Sequence, residues 1–376
     1  MRVAIVHDWL IRLGGAERVL IAFHKIFPEA SIYTLFYDKE FVSRYLPETK
    51  ITTSFLQKVP NIKKIHPWLK ILMPLAAESL DLSDFDLVIS SSHEVSHGLL
   101  VKQTTKHICF YHSPSRILWD RSHDYVKDFR ERDKGIIKLF LIELGQHFLR
   151  LWDQSASKRP DIVLANSNHV AKRIKKYYGR EAKVIYPPVE VPGESNSSLA
   201  RLANYFLIVS QLYPHKNIDL AIEAFKKIPE LNLVIIGDGP EKERLVKKAF
   251  GFSNIKLLGF VKDEDLSVYY KNCLGYLICN EEDFGISPIE AMSFGKPVLA
   301  YKYGGATETI LEGKTGEFFD KLKVDDLSRA IELFNEKIKS GYFSLAAIKK
   351  HSEKFGFERF KKEILDLVKN LGYDKD

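Results

Sequence analysis

Residues 281–298 read EEDFGISPIEAMSFGKPV, an apolar stretch holding two glutamates, Glu282 and Glu290, eight positions apart. A carboxylate in such surroundings can accept hydroxyl hydrogen bonds or stabilise positive charge that develops on a ligand. The preceding GYLICN has the composition of a buried strand, and SPIEAMSFG that of a helix with Ser287 as N-cap and Pro288 as its first residue. EEDFGI is then the turn at the carboxyl end of a strand. Gly285 leaves room for an approach to the backbone, while the helix start offers unpaired N–H groups to a diphosphate or to hydroxyls. Glu290 has two readings at this point, a ligand-facing acid or the N3 member of a Ser287–Glu290 capping box. For Glu282 the competing reading is a solvated acid.

Other residues sit where strands end. Lys216, in PHKNID after YFLIVSQL, can meet a phosphate or lie solvated along the surface. His112 closes the run HICFYH, facing a ligand or bonded to a backbone carbonyl as a neutral ring. Arg116, four residues on, suits a phosphate, an acceptor or a surface ion pair. Gly14 and Gly15 follow VAIVHD and open a helix, a phosphate-facing arrangement without the full GxGxxG pattern, so no dinucleotide cofactor is expected. Asp8, Asp81, Asp84 and Asp86 are not spaced as a ligand cluster, and no metal is expected.

The elements that must position these groups alternate along most of the chain. Short β-branched runs (VAIVHD, DLVISSS, HICFYH, DIVLANS) exchange with helical periodicity, which predicts an α/β protein with parallel sheets and crossover helices. Residues 187–198, PPVEVPGESNSS, lose all periodicity and read as a linker. Alternation resumes with YFLIVSQL and runs to PVLAYK, and the tail from about Val324 is helical throughout. The expected organisation is two doubly wound Rossmann-like domains, residues 1–196 and 197–355, then a helical segment 356–376 that packs back on the first. A ligand crevice is expected between the carboxyl ends of the two sheets.

A length of 376 residues suits two such domains. The net charge of +7 fits an anionic partner, yet no basic stripe interleaved with aromatics or recognisable module argues for nucleic acid. Cys109, Cys273 and Cys279 lie in apolar runs with no metal or redox spacing, which predicts a reducing, intracellular setting. No membrane span or signal peptide is expected. Residues 61–75, NIKKIHPWLKILMPL, combine Lys63, Lys64 and Lys70 with Trp68 and aliphatic residues, and suit either an anionic membrane surface or an amphipathic core helix.

In combination these segments resemble the retaining glycosyltransferases of family 4. The resemblance is carried by GGAERV at 14–19, YHSPSRILWD at 111–120, ANS at 165–167, VIYPPV at 184–189, SQLYPHKNIDLAIEAF at 210–225, the Glu282–Glu290 stretch, and YGGATE at 303–308. It runs in order from residue 1 to about 320, and YHSPSRILWD with VIYPPV looks most like bacterial mannosyltransferases that build O-antigen and other surface polysaccharides. The resemblance implies the GT-B fold and transfer of a hexose, mannose from GDP-mannose as first choice, to a hydroxyl of a lipid-linked glycan. It implies a metal-independent cytoplasmic enzyme at the inner face of the membrane, with no cofactor. By the same resemblance Glu282 contacts the donor sugar, as do the backbone amides of Phe284, Gly285, Ile286 and Ser287. Glu290 binds the ribose, Lys216 the diphosphate, and His112 assists beside the transferred sugar. Gln211 stands where relatives often carry arginine and Asp283 where they often carry glycine. These departures keep a non-catalytic sugar-nucleotide-binding protein as an alternative, beside an epimerase of the same architecture.

Overall fold

A computed structural model describes residues 1–123, 126–127, 135–191, 193 and 204–373. The chain divides into two compact units, Met1–Pro188 with Phe360–Asp376, and Val189–Arg359. Of the expected linker 187–198, residues 192 and 194–198 lie outside the described residues.

The first unit is built on a seven-stranded parallel sheet in the order β3-β2-β1-β4-β5-β6-β7. Its strands are β1 (Val3–His7), β2 (Ser31–Thr34), β3 (Ile51–Thr53), β4 (Leu87–Ser92), β5 (Lys106–Tyr111), β6 (Ile162–Ala165) and β7 (Lys183–Val184). β1 and β4 are buried along their whole length, so both faces of the sheet are covered, as the unbroken apolar runs demand. Chain order reverses between β1 and β4, which leaves a switch point at their carboxyl ends. Phe360, in the helix Phe357–Lys369, packs within this unit against Phe23 and Phe110 at ring distances of 5.3 and 6.1 Å.

The second unit holds a six-stranded parallel sheet in the order β10-β9-β8-β11-β12-β13. Its strands are β8 (Tyr205–Val209), β9 (Asn232–Ile236), β10 (Ile255–Gly259), β11 (Cys273–Ile278), β12 (Val298–Tyr301) and β13 (Gly316–Phe319). The switch point here falls between β8 and β11. The alternation read from the sequence is thus an α/β protein of two doubly wound units, each with its own switch point.

Candidate functional site

In the second unit the loops after β8 and β11 emerge side by side because those strands pair. Lys216 follows β8, Glu282 follows β11, and Lys216 Nζ donates to Glu282 Oε1 at 2.6 Å. Asn280 Nδ2 donates to the same oxygen at 3.1 Å, and Asn217 Nδ2 ties one loop to the other through the Cys279 carbonyl at 3.0 Å. Neither member of the pair is sealed, with side-chain exposures of 18% for Lys216 and 24% for Glu282. A ligand can therefore reach both.

The helix after this loop spans Ile286–Ser293, and its N-cap is Gly285, with φ +89° and no side-chain cap hydrogen bond. This corrects the expectation of Ser287 as N-cap and of a capping box. Ser287 lies inside the first turn, and the Oε2 of Glu290 accepts from the hydroxyl of Tyr270 at 2.8 Å. Glu290 is buried, and this bond through Oε2 ties it to the helix Asp263–Asn272. Phe284 points into the core against Phe355, which leaves its backbone as the part near the loop surface. Ile286 and Ser287 are half-buried and Gln211 is exposed.

The glycines of YGGATE have a mechanical reason. Gly304 bridges to Glu282, and Gly305 N donates to the Glu282 carbonyl at 2.7 Å. A Cβ on Gly304 would stand 2.4 Å from the Glu282 carbonyl oxygen, and one on Gly305 2.4 Å from that of Asp283. Only bare backbone fits, and it fixes the glutamate-bearing loop from behind.

The first unit gathers a second cluster at its own switch point. Gly14 is the N-cap of the helix Gly15–Ile26, which carries Glu17 in its first turn. His112 directly follows β5; its amide donates to the Ser92 carbonyl at 2.9 Å, and its own carbonyl accepts from Asn166 Nδ2 at 2.8 Å. The asparagine of the ANS motif thus holds the histidine backbone. Asp8, at the end of β1, accepts from the amides of His93, Glu94, Val95 and Ser96 at 2.7–2.9 Å and from the Ser96 hydroxyl at 2.8 Å. His93 Nδ1 lies 2.9 Å from the same carboxylate. Burial alone would raise the Asp8 pKa, but His93, His7 and the donors around it hold it well below the ordinary carboxylate range. Burial likewise works against a charged His93, yet Asp8, with Glu17 and Glu94, raises its pKa above the ordinary value.

A chain of contacts runs from Glu17 to His112. His7 Nε2 lies 3.7 Å from Glu17 Oε1, His7 Nδ1 3.1 Å from Ser91 Oγ, and Ser91 Oγ 2.8 Å from His112 Nε2. Burial opposes charge on Glu17, but His7 and His93 lower its pKa, so it stays an ionised group that can only accept. With a hydrogen of His7 on Nε2, toward Glu17, its Nδ1 accepts a hydrogen bond from the Ser91 hydroxyl. Ser91 Oγ in turn accepts from Nε2–H of His112. Burial, and then His7 and His93, hold the His112 pKa well below its ordinary value. The half-buried ring is neutral, with its Nδ1 lone pair unengaged among the described residues. Such a nitrogen accepts a hydrogen bond from a ligand hydroxyl.

Arg116 is half-buried in the loop after β5. Arg173, which sequence reading passed over, is buried, pairs with Asp120, and donates to the Ser113 hydroxyl and the Pro114 carbonyl, bracing the YHSPSR loop. His7, Glu17, Ser91 and His93 were missed as well, and Asp8 was weighed only as a metal ligand. For all but Glu17, which lies in the first turn of a helix, the signal is a polar residue at or just after the end of an otherwise apolar strand.

Residues 13–191 match Glycosyltransferase Family 4, and residues 196–347 match Glycosyl transferases group 1. The protein is a glycosyltransferase of the GT-B fold. The alpha-1,3/1,6-mannosyltransferase of Dictyostelium discoideum is 24% identical over 76% of this glycosyltransferase and 76% of its own length. A GDP-mannose-dependent alpha-(1-6)-phosphatidylinositol monomannoside mannosyltransferase of Mycolicibacterium smegmatis is 30% identical over 33% of this chain and 36% of its own length. The Anabaena protein HepE, in a crystal structure with UDP-glucose, shares the fold with a TM-score of 0.71 and 17% identity, covering 98% of this glycosyltransferase and 100% of that chain.

Proposed function

We propose that this glycosyltransferase moves a hexose, mannose from GDP-mannose as first choice, to a hydroxyl of a lipid-linked glycan during surface-polysaccharide assembly, with retention at the anomeric carbon and without a metal. The observation that carries the reading is the part-exposed Lys216–Glu282 pair beside a helix start that no side chain caps. A diphosphate arriving there gives Lys216 a new partner, and its remaining charge meets the helix N-terminus. Glu282, released from Lys216, accepts sugar hydroxyls and stabilises positive charge at the anomeric carbon as the bond to phosphate oxygen breaks. The acceptor oxygen then bonds to that carbon, and its proton leaves toward the departing diphosphate. No protein nucleophile is required. The Nδ1 of His112 suits a hydroxyl of the transferred sugar.

The mannosyltransferase relatives support mannose, whereas HepE was crystallised with UDP-glucose. The O-antigen assignment rests on YHSPSRILWD and VIYPPV. Thermal shift against GDP-mannose, UDP-glucose, UDP-GlcNAc and the free nucleotides tests the donor, since a ligand of the native state raises the melting temperature. Stabilisation by GDP-mannose above GDP supports the reading, and no shift with any sugar nucleotide defeats it. The anomeric configuration of the product, read by NMR, tests retention.

Contact with the cytoplasmic membrane face is part of the proposal. Trp68, Ile71 and Leu75 are exposed, as are Phe140, Leu141, Phe148 and Leu151 along the helix Ile136–Ala156, and exposed Lys63 and Lys64 adjoin the first group. Among the described residues no helix is long and apolar enough to cross a membrane. Neutralising Lys63, Lys64 and Lys70 should lower flotation with anionic vesicles, most at low salt.

A further inference from the structure

Within the first unit, residues 66–73 and the helix Ile136–Ala156 line a cavity of about 260 Å³. Trp68, Ile71, Met73, Leu141, Leu149 and Trp152 make its walls largely apolar. Three features set it apart from a packing fault.

Gly145 lines the cavity midway along the 21-residue helix, far from either cap, where glycine costs about 1 kcal/mol relative to alanine. A Cβ at this position would meet nothing within 4 Å, so no close approach demands the glycine. Its effect is to keep space open. Next to it, Gln146 is 6% exposed; its Oε1 accepts from the Ser122 hydroxyl at 3.2 Å, and its buried Nε2 has no partner among the described residues. Whichever way the amide is turned, one of its polar atoms is left unpaired in an apolar wall, at a cost of about 1–3 kcal/mol. Finally, the cavity has an ion pair in its wall and an apolar outlet. Lys70 stands in the wall 3.0 Å from Glu94, while Trp68, Ile71 and Leu141 extend the apolar lining to solvent. The wall also carries Asp153, so its charges are the Lys70–Glu94 pair and one further acid, and what it offers a ligand is an apolar lining with an amide donor, complementary to the chain and an oxygen of an amphiphile.

We propose that this cavity holds the hydrocarbon chain of the acceptor, a lipid phosphate, with an oxygen of its polar end on the Gln146 amide. The inference rests on the transferase reading and specifies its acceptor side. Any side chain at position 145 would occupy the volume of the chain.

Dodecyl phosphate and farnesyl phosphate, below their critical micelle concentrations, serve as probes, with binding followed by the fluorescence of Trp68 and Trp152 and by calorimetry. The intact protein should bind one equivalent saturably. Gly145→Leu should weaken binding by at least about tenfold because the new side chain fills the ligand's space, while the melting temperature rises because leucine favours the helix. Gln146→Leu should abolish the preference for dodecyl phosphate over dodecanol. Absence of saturable binding, or unchanged affinity in Gly145→Leu, overturns the proposal. So does a parallel loss of vesicle flotation in Gly145→Leu, which would assign the chamber to bilayer lipid. None of these measurements uses a sugar nucleotide. Chain binding with no response to any donor defeats the transferase reading alone, and a donor response without chain binding defeats the cavity alone.

Discussion

In the first unit Asp8 has six partners, four amides, a hydroxyl and a histidine, and no exposure; in the second, Glu282 has two partners and is about a quarter exposed. Both carboxylates stand at the carboxyl ends of strands beside a switch point, so topology does not separate them. Saturation does. An acid whose lone pairs are all taken can fix loops but has nothing to offer a ligand. One held by a single lysine and one amide can exchange those partners for others.

That contrast can be broken by substitution. Asp8→Asn removes a buried, fully bonded charge and sets an NH2 group against the three donors that one of its oxygens serves, either the His93 ring with the His93 and Glu94 amides or the Val95 and Ser96 amides with the Ser96 hydroxyl, so the unfolding free energy should fall by about 3–5 kcal/mol in urea titration. Glu282→Gln should do the reverse, leaving the melting temperature near that of the parent while transfer falls by at least about a hundredfold. Equal losses of stability in the two variants would erase the distinction. Ser91→Ala interrupts the path from Glu17 to His112 and should slow transfer by about tenfold with nucleotide affinity unchanged; a weakened nucleotide affinity would show that the change spreads beyond the ring.

A separate effect is expected on acid stability. Burial lowers the pKa values of His97 and His112, and takes that of His107 down to about 3. Below the unfolded value of about 6.5, the unfolded chain binds protons at these positions that the folded chain refuses, so stability falls as pH falls, by up to about 1.4 kcal/mol per pH unit for each histidine. His93 runs the other way: its pKa is raised, its contribution is present in acid, and it is lost as pH rises through its folded value. His24, His66 and His351 are lowered as well, so six groups stand against one; the melting temperature should drop between pH 7 and pH 5, and His107→Asn should flatten the decline.

The parallel sheets were legible because strands buried on both faces write unbroken apolar runs, and helices between them write a different period. Lys216 and Glu282 were legible as strand-end residues, and the pairing of β8 with β11 brings them together. The cap at Ser287 was misread because a Ser-Pro-x-Glu spacing also fits the first two turns of a helix capped two residues earlier by a positive-φ glycine. What engages Glu290 is Tyr270, twenty residues away in sequence, and local spacing cannot report it. The Asp8–His93 group was hidden for the same reason, since β1 and β4 become neighbours only when the sheet forms. The exposed stripe from Phe140 to Leu151 has an obvious helical period, but a period says only that a helix has two faces, and not that one of them is left uncovered.

The backing of the Glu282 loop by Gly304 and Gly305 has a consequence for chimaera construction. The loop after β11 and the turn after β12 interlock through bare backbone, so they form one cassette although a strand separates them in sequence. A donor-specificity graft that exchanges residues 279–295 alone would set a foreign loop against a native turn with no tolerance for a shifted carbonyl. The workable crossover lies beyond Thr309, where the short helix Ala306–Thr309 has ended.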